Sequence, residues 1–403
     1  MKIAVWHNLP SGGGKRALYN HIKGLQEKGH YVESWTTDLA AQDYLPLSEI
    51  VTEHCKPLKN KFLEINKRKN SIRKILGTIK LLKAHYQECV EEIQQGGFDL
   101  IFANSCRITY LPYISLFAKI PVLVYLGEPN RSLYEASEYT NIWQLPDFRF
   151  TLRGMNRLRK DIFRSYANRI LLSEEVAAAK KFTKILVNSL YSRESIIRAY
   201  GVDASVCYLG IEVDKFNSGE TVKEGYVVGL GSITRNKGVH KAIEVISKIP
   251  QEVRPELKWI GNDQDNYYLE ELNSMALNLK VVFQPFHHID DNELVSIVSR
   301  ASVMIYTSRL EPFGLAPLEC NACGTYVTAI AEGGVRESIC DGVNGTLVYG
   351  YKPVEMAGII KELVVSADLA RHKGENAREF VRQNWGNTHL TNNICNEIES
   401  VVR

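Results

Sequence analysis

The sequence predicts an α/β protein made of two doubly wound, Rossmann-like domains that face each other across a cleft. Three observations predict it. Short apolar runs rich in β-formers alternate with helix-length segments, in two consecutive series of similar size. The runs are continuously apolar rather than alternating, as expected of strands covered on both faces of a parallel sheet. A chain of 403 residues, 45% hydrophobic and 24% charged, can bury two cores without disulfide or metal staples.

In the first series Ile3-Ala4-Val5-Trp6 is a strand, Ser11-Gly12-Gly13-Gly14 a loop, Arg16 to Lys28 a helix closed by Gly29, and Tyr31 to Thr36 a strand. Phe98 to Phe102 and Pro121 to Tyr125 are further strands. A short helix over Glu174 to Lys181, the strand Ile185-Leu186-Val187 and a helix over Arg193 to Ala199 complete the series. The second opens with Tyr226 to Gly231, a strand running into a polar turn. Val239, Ala242, Ile243 and Ile246 then recur at helical spacing, a single apolar stripe. Leu257 to Gly261, Val281-Val282-Phe283, Val303 to Tyr306 and Thr325 to Thr328 supply more strands. The boundaries expected are 1–205 and 206–384, with a tail from 385 to 403. Ligands of such sheets sit at the carboxyl ends of the strands, so the chemistry should lie in the loops there.

Several function classes are excluded. Forty-nine basic against 46 acidic residues, a net charge of +3, do not suit a dedicated nucleic-acid binder. The apolar start is stopped by His7, Asn8 and Pro10, too short for a signal peptide or membrane span, which predicts a cytoplasmic protein. Eight cysteines show no framework spacing, and Cys320-Asn321-Ala322-Cys323 reads as buried small residues of a helix rather than half a zinc site. No metal and no cofactor are expected.

The most specific feature is Glu311-Pro312-Phe313-Gly314-Leu315-Ala316-Pro317-Leu318-Glu319, two carboxylates eight positions apart across a strand-to-helix transition. A helix starting near Gly314 presents the N–H groups of Phe313 to Ala316 and a positive dipole end, an arrangement suited to phosphate. Glu319 shares a face with Leu315, where it can accept two hydrogen bonds from a ribose diol, while Glu311 can hold sugar hydroxyls. A solvated glutamate is the other reading of Glu319. Gly12 to Gly14 lack the full dinucleotide spacing, so the loop alone suits a nicotinamide enzyme or a transferase equally.

Together, Gly231 to Gly238, Glu311 to Glu319, and Gly333-Gly334-Val335-Arg336-Glu337 to Asn344-Gly345 resemble the retaining family 4 glycosyltransferases of the GT-B fold, whose signature is the Glu-x7-Glu pattern. Val187-Asn188-Ser189 fits as well, and the similarity is strongest over about residues 185–350. The resemblance implies metal-independent transfer of a hexose from a nucleotide-sugar donor, UDP-glucose first, to a saccharide or lipid-linked acceptor in polysaccharide or glycolipid synthesis. It places Lys237 on the diphosphate, with Ser232 where relatives carry an Arg and Arg235 three residues on. It brings Gln284 and Pro285, in a loop, to the base, and Gly13 and Gly14 to the donor phosphates or the acceptor. Where many relatives have His before Glu-Pro, this chain has Gly127, leaving Glu128 as the nearest candidate for that role; a turn-capping carboxylate is its other reading. Trp385 and the tail to Arg403 are expected to return to the first domain, as chains of that family do.

Gly127 and Ser232 motivate a rival reading as an inactive donor-binding module. Asp263-Gln264-Asp265 spells the metal-binding DxD of another transferase fold but reads here as a polar loop, as do His287 and His288. Two basic stretches lie in the first domain. Lys56, Lys59, Lys61, Lys67, Arg68, Lys69, Arg73, Lys74, Lys80 and Lys83 are accompanied only by Glu64, and Arg149, Arg153, Arg157, Arg159, Lys160, Arg164 and Arg169 form the second. They suit peripheral contact with an anionic membrane face, or are plain solvated helix faces.

Overall fold

The computed structural model describes residues 1–67, 71–131, 152–216, 219, 221–262 and 265–402. The chain divides into two compact units, Met1–Tyr208 with Thr391–Arg403, and Leu209–Leu390.

The first unit runs β1 (Lys2–Asn8), α1 (Gly13–Glu27), β2 (Tyr31–Thr36), β3 (Thr52–Cys55), α2 (Lys59–Asn66), α3 (Ser71–Gln95), β4 (Leu100–Cys106), β5 (Val122–Tyr125), α4 (Leu152–Ala179), β6 (Lys184–Val187), α5 (Leu190–Tyr200) and β7 (Ser205–Val206). Its seven strands lie in the order β3-β2-β1-β4-β5-β6-β7, and every pairing is parallel. The helix expected over Glu174 to Lys181 is the end of a far longer one, α4, whose basic, polar first half hides its periodicity in the sequence. Gly13 and Gly14, expected in a loop, form the first turn of α1, and only Gly12, at φ 130°, precedes the helix.

The second unit runs β8 (Val227–Leu230), α6 (Val239–Ser247), β9 (Leu257–Ile260), α7 (Asn266–Asn278), β10 (Phe283–Phe286), α8 (Asp291–Arg300), β11 (Val303–Tyr306), α9 (Leu315–Ala322), β12 (Val327–Ile330), α10 (Val335–Ser338), β13 (Gly345–Val348), α11 (Pro353–Val365) and α12 (Ala367–Asn384). Its parallel order is β10-β9-β8-β11-β12-β13. The stripe Val239, Ala242, Ile243 and Ile246 is fully buried against Val227, Leu257 and Trp259. The strand expected at Val281 to Phe283 lies two residues further on, because Pro285 is tolerated in β10, an edge strand that needs no donor on its outer side.

The last helix, α13 (Asn387–Val402), carries the chain back: Lys28 Nζ donates to Asn396 Oδ1 at 3.2 Å and His30 meets Glu399 at 3.2 Å. Trp385, expected to lead that return, stays in the second unit with its ring 5.3 Å from that of Phe313. In each sheet the strand order reverses beside the first strand, between β1 and β4 and between β8 and β11. Loops from the carboxyl ends of such strand pairs diverge there and leave room for a ligand.

Candidate functional site

The second unit's switch point gathers the motif residues. Past β8 the chain turns at Gly231, passes Ser232 and makes a single 3-10 turn, Arg235–Lys237, before α6. Lys237 therefore precedes the helix instead of opening it, since Gly238 intervenes in a left-handed conformation at φ 70°. A side chain at 238 would put its Cβ 2.5 Å from the Thr307 carbonyl oxygen, so only glycine lets this turn close on the end of β11. Thr307 fastens the contact, its hydroxyl donating to the carbonyls of Lys237 and Gly238 at 3.1 and 2.9 Å.

That fastening aims the side chain. Lys237 Nζ donates to Glu311 Oε2 at 2.7 Å, and Ser308 Oγ donates to the same oxygen at 2.7 Å. Lysine and glutamate are each about a quarter exposed, so the ammonium keeps donors for a further anion. The Glu311 backbone is held from behind: its carbonyl accepts from Gly334 N at 2.8 Å. A Cβ on Gly334 would lie 2.0 Å from the Pro312 carbonyl oxygen, which accounts for the Gly333-Gly334 pair of the third motif.

Helix α9 begins one residue after Gly314, whose φ of 96° turns the chain into the helix with no side-chain cap. Its first-turn donors are the Leu315 and Ala316 N–H groups, Pro317 having none. Phe313, whose N–H is also expected among the donors, precedes the helix by two residues, and its buried ring lies near Trp385. Glu319 follows one turn past Leu315 and is half-buried. The Tyr306 phenol is held well above its ordinary value, first by burial and then by the charges of Glu311 and Glu319, so both carboxylates act on the same buried end of β11.

Other motif residues are placed apart from this cluster. Arg235 is exposed, pairs with Glu271 and lies over the Tyr268 ring at 5.0 Å. Gln284 is exposed within β10 and not in a loop. Asp263 and Gln264 lie outside the described residues, and Asp265 caps α7, accepting from the Tyr267 and Tyr268 N–H groups. His287 Nδ1 lies 3.0 Å from the Gly261 carbonyl oxygen. Among the described residues no group of three or more His, Cys, Asp or Glu is arranged to hold a metal ion. Cys320 and Cys323 are buried, and burial first of all pushes both thiols up, Cys323 to about 12.

In the first unit, Glu128 pairs with Arg131 at 3.3 Å. Ser192 Oγ donates to the Gly127 carbonyl at 2.6 Å and to Asn188 Oδ1 at 2.8 Å. A Cβ at 127 would come within 3.3 Å of Asn188 Nδ2, so the amide crowds any side chain there. Beside the glycine loop, Lys15 is wholly buried on α1, its Nζ without a hydrogen-bond partner among the described residues. His7 Nε2 meets Glu53 Oε1 at 3.1 Å. The Lys15 ammonium is pushed down, first by burial, with the Glu53 charge opposing.

The sequence reading missed Thr307 and Ser308. Their signal was available: two hydroxyl residues directly after a β-strand at a switch point, four and three residues ahead of the first motif glutamate.

Residues 210–380 match the family model of the Glycosyl transferases group 1. The D-inositol 3-phosphate glycosyltransferase of Xylanimonas cellulosilytica is 27% identical over 237 residues, 53% of this chain and 56% of that protein. The enzyme of the same name from Mycolicibacterium smegmatis is 27% identical over 224 residues, 51% of this chain and 50% of that one. The chain thus spans about half the length of these curated relatives. Among solved structures, Anabaena HepE in complex with UDP and glucose superposes with a TM-score of 0.72 at 20% identity, over 99% of this chain and 100% of that one. Sucrose-phosphate synthase from Thermosynechococcus elongatus gives 0.72 at 16% identity, over 100% and 99%. The fold is GT-B.

Proposed function

We propose that the chain is a retaining, metal-independent glycosyltransferase that works on the cytoplasmic side. It moves a hexose from a nucleotide sugar, UDP-glucose first, to a saccharide or lipid-linked acceptor in polysaccharide or glycolipid synthesis. The observation that carries the reading is the ion pair of Lys237 with Glu311 beside the N-terminus of α9, within the segment that matches the glycosyl transferase family. The HepE complex with UDP and glucose supports the choice of donor.

In this reading the α9 terminus and Lys237 bind the diphosphate, Glu319 the ribose diol and Glu311 the sugar hydroxyls. As the anomeric C–O bond breaks, charge gathers on the departing phosphate oxygen, which Lys237 and the first-turn N–H groups stabilise. The acceptor hydroxyl forms the new bond on the same face and its proton passes to that phosphate oxygen, so the protein supplies position and charge and no separate base. Ser308 and Lys237 donate to the same Glu311 oxygen, which fixes the rotation of the carboxylate.

A second reading, a donor-binding module without activity, is favoured by Ser232 and Gly127, which stand where the family resemblance implies an Arg and a His. UDP release from a panel of nucleotide sugars, with and without acceptors, separates the two: the enzyme turns over at least one donor, by transfer or slow hydrolysis, whereas the module binds UDP and turns over none. The functional reading also includes peripheral contact with a membrane, supported by the two basic stretches.

A further inference from the structure

We propose that α2, α3 and α4 of the first unit together form a docking surface for an anionic lipid bilayer, with named apolar side chains entering the interface and named cations meeting the headgroups. The inference rests on the peripheral-contact part of the functional reading and is independent of its chemistry.

The core observation is an apolar stripe turned outward. On α4, Met155, Ile162, Phe163 and Tyr166 are 58%, 60%, 42% and 58% exposed. Their spacing of seven, eight and eleven residues puts them on one helix face. Further along the same helix Ala167, Glu175, Ala178 and Ala179 turn the opposite way and are buried. A helix that buries one face in its own core and still exposes large apolar groups on the other has a second apolar medium to meet. Arg159 and Arg169 are exposed on that outer face, and the Arg159 guanidinium sits 5.7 Å from the Phe163 ring centre.

The two neighbouring helices repeat the arrangement. Helix α2 packs against α3, and α3 against α4. On α2, exposed Leu63 stands between exposed Lys59 and Lys67, at spacings of four. On α3, exposed Leu76 stands between exposed Arg73 and Lys80. Helix α2 buries no residue at all, so its own apolar side chains are not what holds the unit together. Among the sequence acids, only Glu64 falls between Lys56 and Lys83, and only Asp161 between Arg149 and Arg169. Arg68, Lys69 and Arg149 lie outside the described residues.

Charge complementarity selects the occupant. Cations flanking exposed aliphatic and aromatic groups fit a surface that offers anionic headgroups and hydrocarbon at once. A nucleic acid backbone would use the cations and leave Ile162 and Leu76 in water. No helix among the described residues is long and apolar enough to cross a membrane, so the contact is lateral.

The test is co-sedimentation of the full chain with vesicles of phosphatidylcholine alone and of phosphatidylcholine with equimolar phosphatidylglycerol, at low and high salt. The chain is expected to bind the anionic vesicles, to lose that binding as salt rises, and to ignore the neutral ones. The pair Ile162→Asp with Phe163→Asp should lower anionic-vesicle partitioning by about tenfold or more. The pair Lys67→Glu with Arg73→Glu should lower it likewise and flatten its salt dependence. Should the first pair fail to fold, the second, at exposed positions, carries the test. Absence of binding overturns the proposal, as does binding that neither pair changes or binding to neutral vesicles alone. A self-associated chain that the first pair turns monomeric, with vesicle binding unchanged, assigns the surface to a second copy and also overturns it. UDP affinity measured alongside reports on the donor reading separately: its absence removes that reading and leaves the vesicle result standing.

Discussion

Each unit places a lysine just past the first strand of its sheet, after a glycine of nearly the same backbone shape, Gly12 at φ 130° and Gly231 at φ 137°. The surroundings of the two lysines are opposite. Lys237 is a quarter exposed, paired with Glu311 and aimed beside a helix N-terminus. Lys15 is wholly buried, with the Glu53 carboxylate and the His7 imidazole near it and no hydrogen bond at Nζ among the described residues. The same strand-to-helix connection thus yields a group presented for a ligand in one unit, just ahead of the helix, and a group withdrawn from solvent in the other, inside the helix. Topology says where to look; burial and partners say what a residue can do.

The largest effect that would break this contrast is on turnover. Lys237→Ala should cost about a hundredfold to a thousandfold in UDP release from the productive donor, the range for one preorganised contact to developing charge. The melting temperature should hardly move, because a partly exposed pair contributes about 1 kcal/mol or less. If Lys15→Ala had the larger effect on turnover, the two positions would have been assigned the wrong way round.

Stability should show the reverse order. Burial alone would raise the Glu53 carboxyl, but the His7 hydrogen bond and the charges of His7 and Lys15 hold it low. Glu53→Ala leaves Lys15 as a buried charge without its counter-charge and should destabilise the first unit by about 3 kcal/mol. Denaturant unfolding checks it, with UDP affinity expected to stay within about twofold of the parent.

Acid should then separate the units. His21 on α1, fully buried, is pushed down to about 3 and His85 on α3 to about 4, burial being the main cause in both. Both stay neutral in the folded chain while the unfolded chain takes up protons below about 6.5, so their contribution is complete above that pH and is lost as pH falls toward 3 to 4. Near pH 4, His21 alone should cost the first unit roughly 3 kcal/mol. Hydrogen exchange should accordingly rise in β1 and α1 before β8 and α6, and His21→Leu should narrow the gap.

Sequence and structure agree where burial is regular. Val239, Ala242, Ile243 and Ile246 face one core, and the spacing of Glu311 and Glu319 sets both at one strand-to-helix junction. Agreement ends where the local pattern is not the deciding force. Thr52 to Cys55 form a polar edge strand, which lacks the apolar signature of its buried neighbours. The resemblance set Gln284 and Pro285 in a loop, whereas they lie in β10, an edge strand that tolerates proline. Lys15 drew no expectation from the sequence, since nothing local to three glycines and a lysine marks a cation that α1 buries. Ser308 acts through a hydrogen bond to Glu311 that spacing alone does not reveal.

The smallest expected effect sharpens the site's edge. Arg235 is exposed and already engaged by Glu271 and the Tyr268 ring. Arg235→Ala should lower turnover by less than about tenfold, since an exposed pair contributes no more than about 1 kcal/mol. A loss equal to that of Lys237→Ala would place the guanidinium on the diphosphate in the working enzyme.

The central claim is that the second unit's switch point holds the nucleotide. Calorimetric titration of UDP into the parent chain, Lys237→Ala, Glu319→Ala and Lys15→Ala tests it most directly. The account predicts a loss of about tenfold or more in each of the Lys237 and Glu319 variants, the effect of removing one charged hydrogen-bonding partner, and parental affinity in the Lys15 variant. Undiminished affinity in both second-unit variants, with binding abolished by Lys15→Ala, would contradict it.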